Sequence, residues 1–343
     1  MSSQDSPEEI VAPFLTVEAV IFQPIATLLP MFLTYGVYII IFGLCMHVLY
    51  HRDRCGLRLY LVCIIMSFIL TSLYVAWETF GKTHETIITF HAAKTQDFGP
   101  LIKYLYQDSL ATGWIATTAF TSTFMIALAD IMLIHRFYVL WGSRKVVLFA
   151  LGFMGITLNG ISFATAFLGS IGSSDFNKFG DVYLVSGKID YGNGIALAVF
   201  NGILSLLTAG RIWWISREAR QHMGMPTHAR YRQIVTIILE SGILFPTAMI
   251  ASNVIPIIVD PNSQGVFPVN LDPIVYLMAG IAPTLIIVRV AYRKSVDSVQ
   301  QMVSAHFAEC ESQQEVGNQT LQTTLGNHAV DASSGHPVDE AMA

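Results

Sequence analysis

Residues 194–220 read GIALAVFNGILSLLTAGRIWWISREAR, and this stretch decides the fold of the chain. Its first part is apolar over the roughly 20 residues that an α-helix needs to cross the hydrocarbon core of a bilayer. Tryptophans and arginines are concentrated at its carboxyl end. Tryptophan is enriched at the membrane–water boundary, and arginine is retained on the cytoplasmic side. The stretch therefore predicts a transmembrane helix whose carboxyl end lies in the cytoplasm.

The same pattern recurs along the chain and predicts seven spans in all. They cover residues 28–50, 57–77, 114–140, 146–171, 194–215, 234–259 and 273–290. Of the 19 Lys and Arg, all but five fall at junctions that share one side of the membrane. The five on the other side are Lys82, Lys94, Lys103, Lys178 and Lys188. Because basic loops resist translocation, the amino terminus is predicted outside and the carboxyl terminus in the cytoplasm.

The composition also favours a membrane protein. Hydrophobic residues make up 53% of the chain and charged residues only 13%, against about 25% charged in soluble domains. Short connections make successive helices antiparallel neighbours. The predicted fold class is an all-α membrane protein, a seven-transmembrane helix bundle at 28–294. An extracellular segment, 1–27, precedes the bundle, and a polar, largely disordered cytoplasmic tail, 295–343, follows it.

The regions between the spans carry weaker signals. Pro13, Pro24 and Pro30 interrupt the apolar residues 10–30, so this stretch is expected at the outer interface rather than inside the membrane. The longer outer connections are predicted at 78–113, 172–193 and 260–272. In the second of them, residues 181–191 favour a small hairpin.

Two carboxylates lie inside predicted spans, Asp130 in the third and Glu240 in the sixth. An ionisable group at the bilayer centre costs about 2.5–3.5 kcal/mol on insertion scales, so each should have a partner. Basic candidates at similar depth are His135, Arg136, Arg211 and Arg289. Together the six residues form a candidate intramembrane charge network. It is either a static brace between helix ends or a lock whose rearrangement moves the sixth helix; a proton relay is a third interpretation.

Three residues, Gly242, Pro246 and Pro283, form a candidate helix hinge. Proline has no backbone N–H, so Pro246 leaves the carbonyl of Gly242 without its helical donor. A kink is therefore expected near Gly242–Pro246. The competing interpretation is that proline and glycine are simply frequent in membrane helices.

Signals for catalysis and cofactors are poor. His84 and His91 lie seven apart, which is not a metal-binding spacing, and no glycine-rich phosphate loop occurs. The seventh span contains no lysine, which excludes a retinal Schiff base. Because topology explains the basic loops, no nucleic-acid partner is expected. The chain is predicted not to be an enzyme and to bind no cofactor and no metal.

Four segments carry a family resemblance. They are residues 130–141, with Leu133, Arg136, Tyr138 and Trp141; 211–214, reading RIWW; 240–242, reading ESG; and 280–289, which begins GIAPT. These segments resemble a large set of seven-span membrane proteins from mushroom-forming (basidiomycete) fungi. The resemblance implies the membrane fold and no particular activity. The topology is also similar to that of G-protein-coupled receptors, with His135-Arg136-Phe137 at the end of the third span, although the seventh span lacks their Asn-Pro-x-x-Tyr motif.

Two functions from different classes fit the sequence. The first is a receptor-like or sensory protein of the plasma membrane. It would take a small-molecule or peptide ligand on its outer face and a cytosolic signalling partner at residues 216–233 and the tail. The alternative is a transporter or lipid-handling protein with a polar path past Asp130 and Glu240. A polar route that joins Asp130 to the outer mouth would favour transport.

Overall fold

The computed structural model describes residues 15–50, 58–142, 145–223, 242–255, 258 and 269–289. These residues are almost entirely helical. A π-helical turn, Glu18–Phe22, leads into the first of eight helices. The helices are α1 (Gln23–Tyr50), α2 (Arg58–Thr95), α3 (Gly99–Gln107), α4 (Ser109–Leu140), α5 (Lys145–Ser174), α6 (Phe176–Met223), α7 (Gly242–Ile255) and α8 (Asp272–Arg289).

Six of these helices are long and apolar enough to cross a membrane: α1 with its preceding turn, α2, α4, α5, α6 and α8. The seventh predicted span, 234–259, is represented by the shorter apolar helix α7, and its first half lies outside the described residues. Large apolar side chains face outward, with Phe149 82% and Ile156 76% exposed on α5. Such a surface is unfavourable in water and suits lipid. The chain is therefore an all-α, multi-pass membrane protein.

The helices continue well beyond the hydrophobic spans, which corrects the predicted outer loops. Helix α2 runs to Thr95, and α6 is continuous over 48 residues from Phe176. At 1.5 Å per residue α6 is about 70 Å long, more than twice the hydrocarbon thickness. The predicted hairpin at 181–191 is wrong because this segment lies inside α6. Hydropathy marks where a helix leaves lipid, and polar residues can extend that helix into water.

Residues 10–30 were expected at the outer interface, and that position stays a prediction, although the segment is helical from Glu18 onward. The turn Glu18–Phe22 and α1 form one apolar helical span that passes through Pro24 and Pro30. Pro24 directly follows the π-helical turn and removes one hydrogen-bond donor from the continuous helix. Pro30 removes one interior hydrogen bond, a loss that membrane helices tolerate.

The interior of the bundle is built around α4, which packs against α2, α5 and α6. Helices α5 and α6 form a hairpin joined only by Asp175. They approach each other closely at Gly172, where an added Cβ would lie 2.6 Å from the backbone nitrogen of Tyr183. Small residues permit such approaches between membrane helices. Asp108 caps α4 by accepting a hydrogen bond from the Leu110 amide at 3.0 Å.

Candidate functional site

The two ends of the bundle differ in charge. Helices α4, α6 and α8 run in one direction and α2 and α5 in the other, which follows from their antiparallel connections. We call the end that holds Arg136, Arg211 and Arg289 the basic end. The opposite end, which holds Glu78, Asp190 and Asp272, is the acidic end.

At the basic end, the predicted network residues contact aromatic rings. The Tyr60 hydroxyl and His135 Nδ1 are 2.9 Å apart and hydrogen-bonded. The Arg211 guanidinium lies 5.5 Å from the centre of the Trp141 ring, a cation–π distance. Arg136 is partly buried on α4, and Arg289 is the last residue of α8. Glu240 lies outside the described residues, so the six-residue network stays a prediction.

Asp130 lies deeper, with 1% of its surface exposed. Asn159 Nδ2 on α5 donates to Asp130 Oδ2 at 2.7 Å. The side chain of Asn201 on α6 lies near enough to interact electrostatically with this carboxylate. Amide donors stabilise a buried carboxylate without supplying a compensating charge. We call Asp130, Asn159 and Asn201 the Asp130 cluster; it joins α4, α5 and α6 at one point.

The predicted hinge has a specific partner on α6. Pro246 cannot donate to the carbonyl of Gly242, and the Ser205 hydroxyl donates to that oxygen instead, at 3.2 Å. The helices are so close here that a Cβ on Gly242 would lie 2.9 Å from Ser205 Oγ. The missing N–H of Pro246 leaves the Gly242 carbonyl free, and the missing Cβ of Gly242 lets Ser205 reach it. Pro283 lies buried inside the continuous helix α8.

The acidic end contains an interaction group on α2 and α4. Trp114 Nε1 donates to Glu78 Oε2 at 3.2 Å, and the Glu78 side chain is buried. Lys82 Nζ pairs with Glu85 at 2.9 Å and lies 5.1 Å from the centre of the Trp114 ring. The indole ring lies directly against Gly81, where a Cβ would be 2.3 Å from Trp114 Nε1. Glycine at 81 is thus required for this arrangement.

Two further carboxylates complete the acidic end, and both are exposed to solvent. Thr165 Oγ1 donates to Asp190 Oδ1 at 3.0 Å. Asp272, the first residue of α8, interacts electrostatically with Asp190 and Lys82. We call Glu78, Lys82, Glu85, Asp190 and Asp272 the acidic-end cluster. It carries four acids and one base, and Asp190 and Asp272 are exposed, so we call this electronegative surface the mouth.

Aromatic side chains surround this mouth. Tyr74 and Tyr276 meet edge to face, with ring centres 5.4 Å apart. Tyr104 on the short helix α3 packs near His84, at 5.7 Å between ring centres. Burial and the nearby carboxylates of Glu85 and Asp108 raise the pKa of Tyr104, so its phenol stays neutral at physiological pH. The mouth therefore combines negative charge with apolar ring faces.

An apolar layer lies between the acidic-end cluster and the Asp130 cluster. Its buried members are Ile126, Ala129, Leu197, Ala198, Phe245, Met249, Val275, Ala279 and Ala282. Ile126 lies between Trp114 and Asp130 along α4, and Leu197 lies between Asp190 and Asn201 along α6. The layer therefore separates the mouth from the buried carboxylate along the centre of the bundle.

Sequence reasoning missed most of these partners. Glu78, Lys82 and Glu85 were assigned to a loop, although their spacing of four and three residues places them on one helical face. Asn159 and Asn201 were also overlooked. An amide inside a membrane span is itself a signal, because it must find a hydrogen-bond partner there.

Comparison with protein-family models, with curated proteins and with solved structures finds nothing that matches this chain. The class of the protein therefore follows from its own fold and polar groups: a multi-pass helical membrane protein with one acidic and one basic end.

Proposed function

We propose that the chain is a receptor-like, sensory protein of the plasma membrane, with seven spans, an outer amino terminus and a cytoplasmic carboxyl terminus. The acidic end then faces outward and the basic end inward, as the distribution of Lys and Arg predicts. The observation that carries the proposal is the apolar layer. It allows a ligand to enter the mouth and blocks a central passage to the other side.

The acidic-end cluster suits a small-molecule or peptide ligand with a cationic group. Its acids outnumber its single lysine, and the Lys82 charge is already paired with Glu85. The ring of Tyr276 is half-buried beside this cluster, and an aromatic face can bind the apolar part of a ligand and attract its positive charge. A ligand held here contacts α2, α4, α6 and α8 at once.

Ligand binding would be detected by a cytosolic partner that binds at the basic end, at residues 216–233. Helix α6 continues as far as Met223, so the first part of this connection is helical. Helix α7 is attached to α6 through the Ser205–Gly242 hydrogen bond. The segment before Gly242 would act as a lever whose position depends on the partner of Glu240.

The test uses Glu240→Gln together with a cysteine at Arg232. Cys55 and Cys310 are first replaced by serine, while Cys45 and Cys63 stay because they are buried. If Glu240 locks the lever, losing its charge should raise the labelling rate at position 232. A lock of about 1 kcal/mol corresponds to a roughly fivefold increase. The measurement is reaction with a membrane-impermeant maleimide in inside-out vesicles.

Intact cells serve as the topology control, since position 232 should not react from outside. A second control is Glu85→Gln at the opposite end, which should leave labelling at 232 unchanged. Unaltered labelling of the Glu240→Gln variant combined with a lower Tm would mean that the network is a static brace. Labelling from outside would reverse the proposed orientation.

The second candidate function, transport, is favoured by a polar stripe between α5 and α6. Its side-chain hydrogen bonds are Asn193 Nδ2 to Ser162 Oγ at 2.7 Å and Thr165 to Asp190 at 3.0 Å. With Asn159 and Asp130, the stripe extends from the acidic end to the buried carboxylate. It bypasses the apolar layer along one helix interface.

The receptor and the transporter proposals predict different ion uptake through the reconstituted protein. We expect ²²Na⁺ uptake into proteoliposomes to equal uptake into protein-free liposomes, because the stripe is tightly packed and the centre is apolar. Uptake that exceeds this background, and that Asn193→Leu abolishes, would favour the transporter. Ser174→Leu, at the exposed end of α5, is the matched control for an added leucine.

A further inference from the structure

The Asp130 cluster contains three buried oxygen atoms without hydrogen-bond partners among the described residues: Asp130 Oδ1, Asn159 Oδ1 and Asn201 Oδ1. Asp130 is 1% exposed and Asn201 is fully buried. Buried acceptors are nearly always satisfied in proteins, so three of them on side chains that interact with one another require an explanation.

The amide orientations are determined by their donors. Asn159 Nδ2 donates both to Asp130 Oδ2 at 2.7 Å and to the Gly155 carbonyl at 2.9 Å. Asn201 Nδ2 donates to the Leu197 carbonyl at 3.1 Å. Exchanging oxygen and nitrogen in either amide would place an acceptor against an acceptor. The unpartnered atoms are therefore oxygens.

The carboxylate also lacks a positive neighbour. Among the described residues, the side chains that interact with Asp130 are the neutral amides of Asn159 and Asn201, not a Lys, Arg or His. Isolated charge in a low-dielectric interior is costly unless it is neutralised. A positively charged species that accepts oxygen ligands would neutralise this carboxylate.

We propose that the Asp130 cluster is a binding site for a hard monovalent cation, Na⁺ or K⁺, liganded by oxygens of Asp130, Asn159 and Asn201. Carboxylate and amide oxygens are the ligands that hard cations take in proteins. A single carboxylate neutralises one positive charge, whereas a divalent ion would leave a buried excess. The bound ion joins α4, α5 and α6 on the basic side of the apolar layer. This inference does not depend on the proposed function.

The experiment follows thermal unfolding of the full chain in nanodiscs at constant ionic strength, with NaCl or KCl replacing choline chloride. Saturable binding should raise Tm by about 3 °C or more at a tenfold excess over Kd. The salt that gives the larger shift identifies the preferred ion. Asp130→Asn should abolish the shift, and Asn201→Ala should weaken it. Asp190→Asn, at the acidic end, should retain it.

A second measurement covers the case in which Asp130→Asn fails to fold. Broadening of the ²³Na resonance by the unaltered protein should be reversed by excess KCl if the two ions share the site. Equal Tm in all three salts without broadening would overturn the proposal. So would a Tm that rises on acidification and ignores the cation, because a proton would then neutralise Asp130. Broadening that persists in Asn201→Ala and Asp130→Asn alike would also refute it.

Discussion

Replacing Gly172 with alanine should destabilise the protein by about 3 kcal/mol or more, the largest effect expected from a one-carbon change. The added Cβ would lie 2.6 Å from the Tyr183 nitrogen and 2.7 Å from its Cα. Those atoms belong to the α6 backbone, which cannot rotate away as a side chain can. The α5–α6 hairpin would have to open, and it contains Asn159 and Asn201.

The matched control is Gly160→Ala on the same helix, where an added Cβ would meet nothing within 4 Å. Alanine has the higher helix propensity, so this variant should be neutral or slightly more stable. Fluorescence-detected size-exclusion chromatography and Tm in detergent compare the two. Equal behaviour of the variants would show that α5 and α6 do not approach each other at Gly172.

Ser205→Ala should cost about 1–3 kcal/mol, because it leaves the Gly242 carbonyl buried without a donor. The same substitution should cost much less in a Pro246→Ala background. Alanine at 246 supplies the backbone N–H that proline lacks, and this N–H can satisfy the carbonyl within α7. A double-mutant cycle on unfolding in detergent should therefore give a coupling energy of about 1 kcal/mol or more.

Ser186→Ala is the control for removing a buried hydroxyl. Ser186 donates to the Tyr183 carbonyl of its own helix, at 2.8 Å, and that carbonyl keeps its regular helical donor. Ser186→Ala should therefore lower the free energy of unfolding by much less than Ser205→Ala does. Additive effects of Ser205→Ala and Pro246→Ala would mean that the serine does not replace the missing proline N–H.

Much of the architecture was predictable because hydropathy is a local property. A stretch such as 194–215 must be helical in lipid, since only an intra-segment hydrogen-bond ladder satisfies its backbone there. Six predicted spans lie in long apolar helices, and a shorter helix lies within the remaining one. The number of spans and their orientation rest on charge distribution and stay predictions.

Local signals were misleading where helices continue into water. Residues 181–191 contain a glycine and short apolar pairs, which favour a hairpin in isolation. In the structure they extend α6, because packing against α5 at Gly172 compensates for modest helix propensity. Likewise Pro24 and Pro30 were expected to interrupt the helix, whereas the structure is helical through both.

By itself, the sequence determined that the chain is helical, that it crosses the membrane several times, and that Asp130 is costly in its span. It did not determine which groups stabilise the buried Asp130 carboxylate. The partners Asn159 and Asn201 lie 29 and 71 positions further along the chain, and their meeting depends on how α4, α5 and α6 rotate about their axes. Rotation is set by close contacts between helices, at glycines such as Gly172, and composition does not record them. Only the tertiary structure could place these two amides beside Asp130, with an unpartnered oxygen on each of the three side chains.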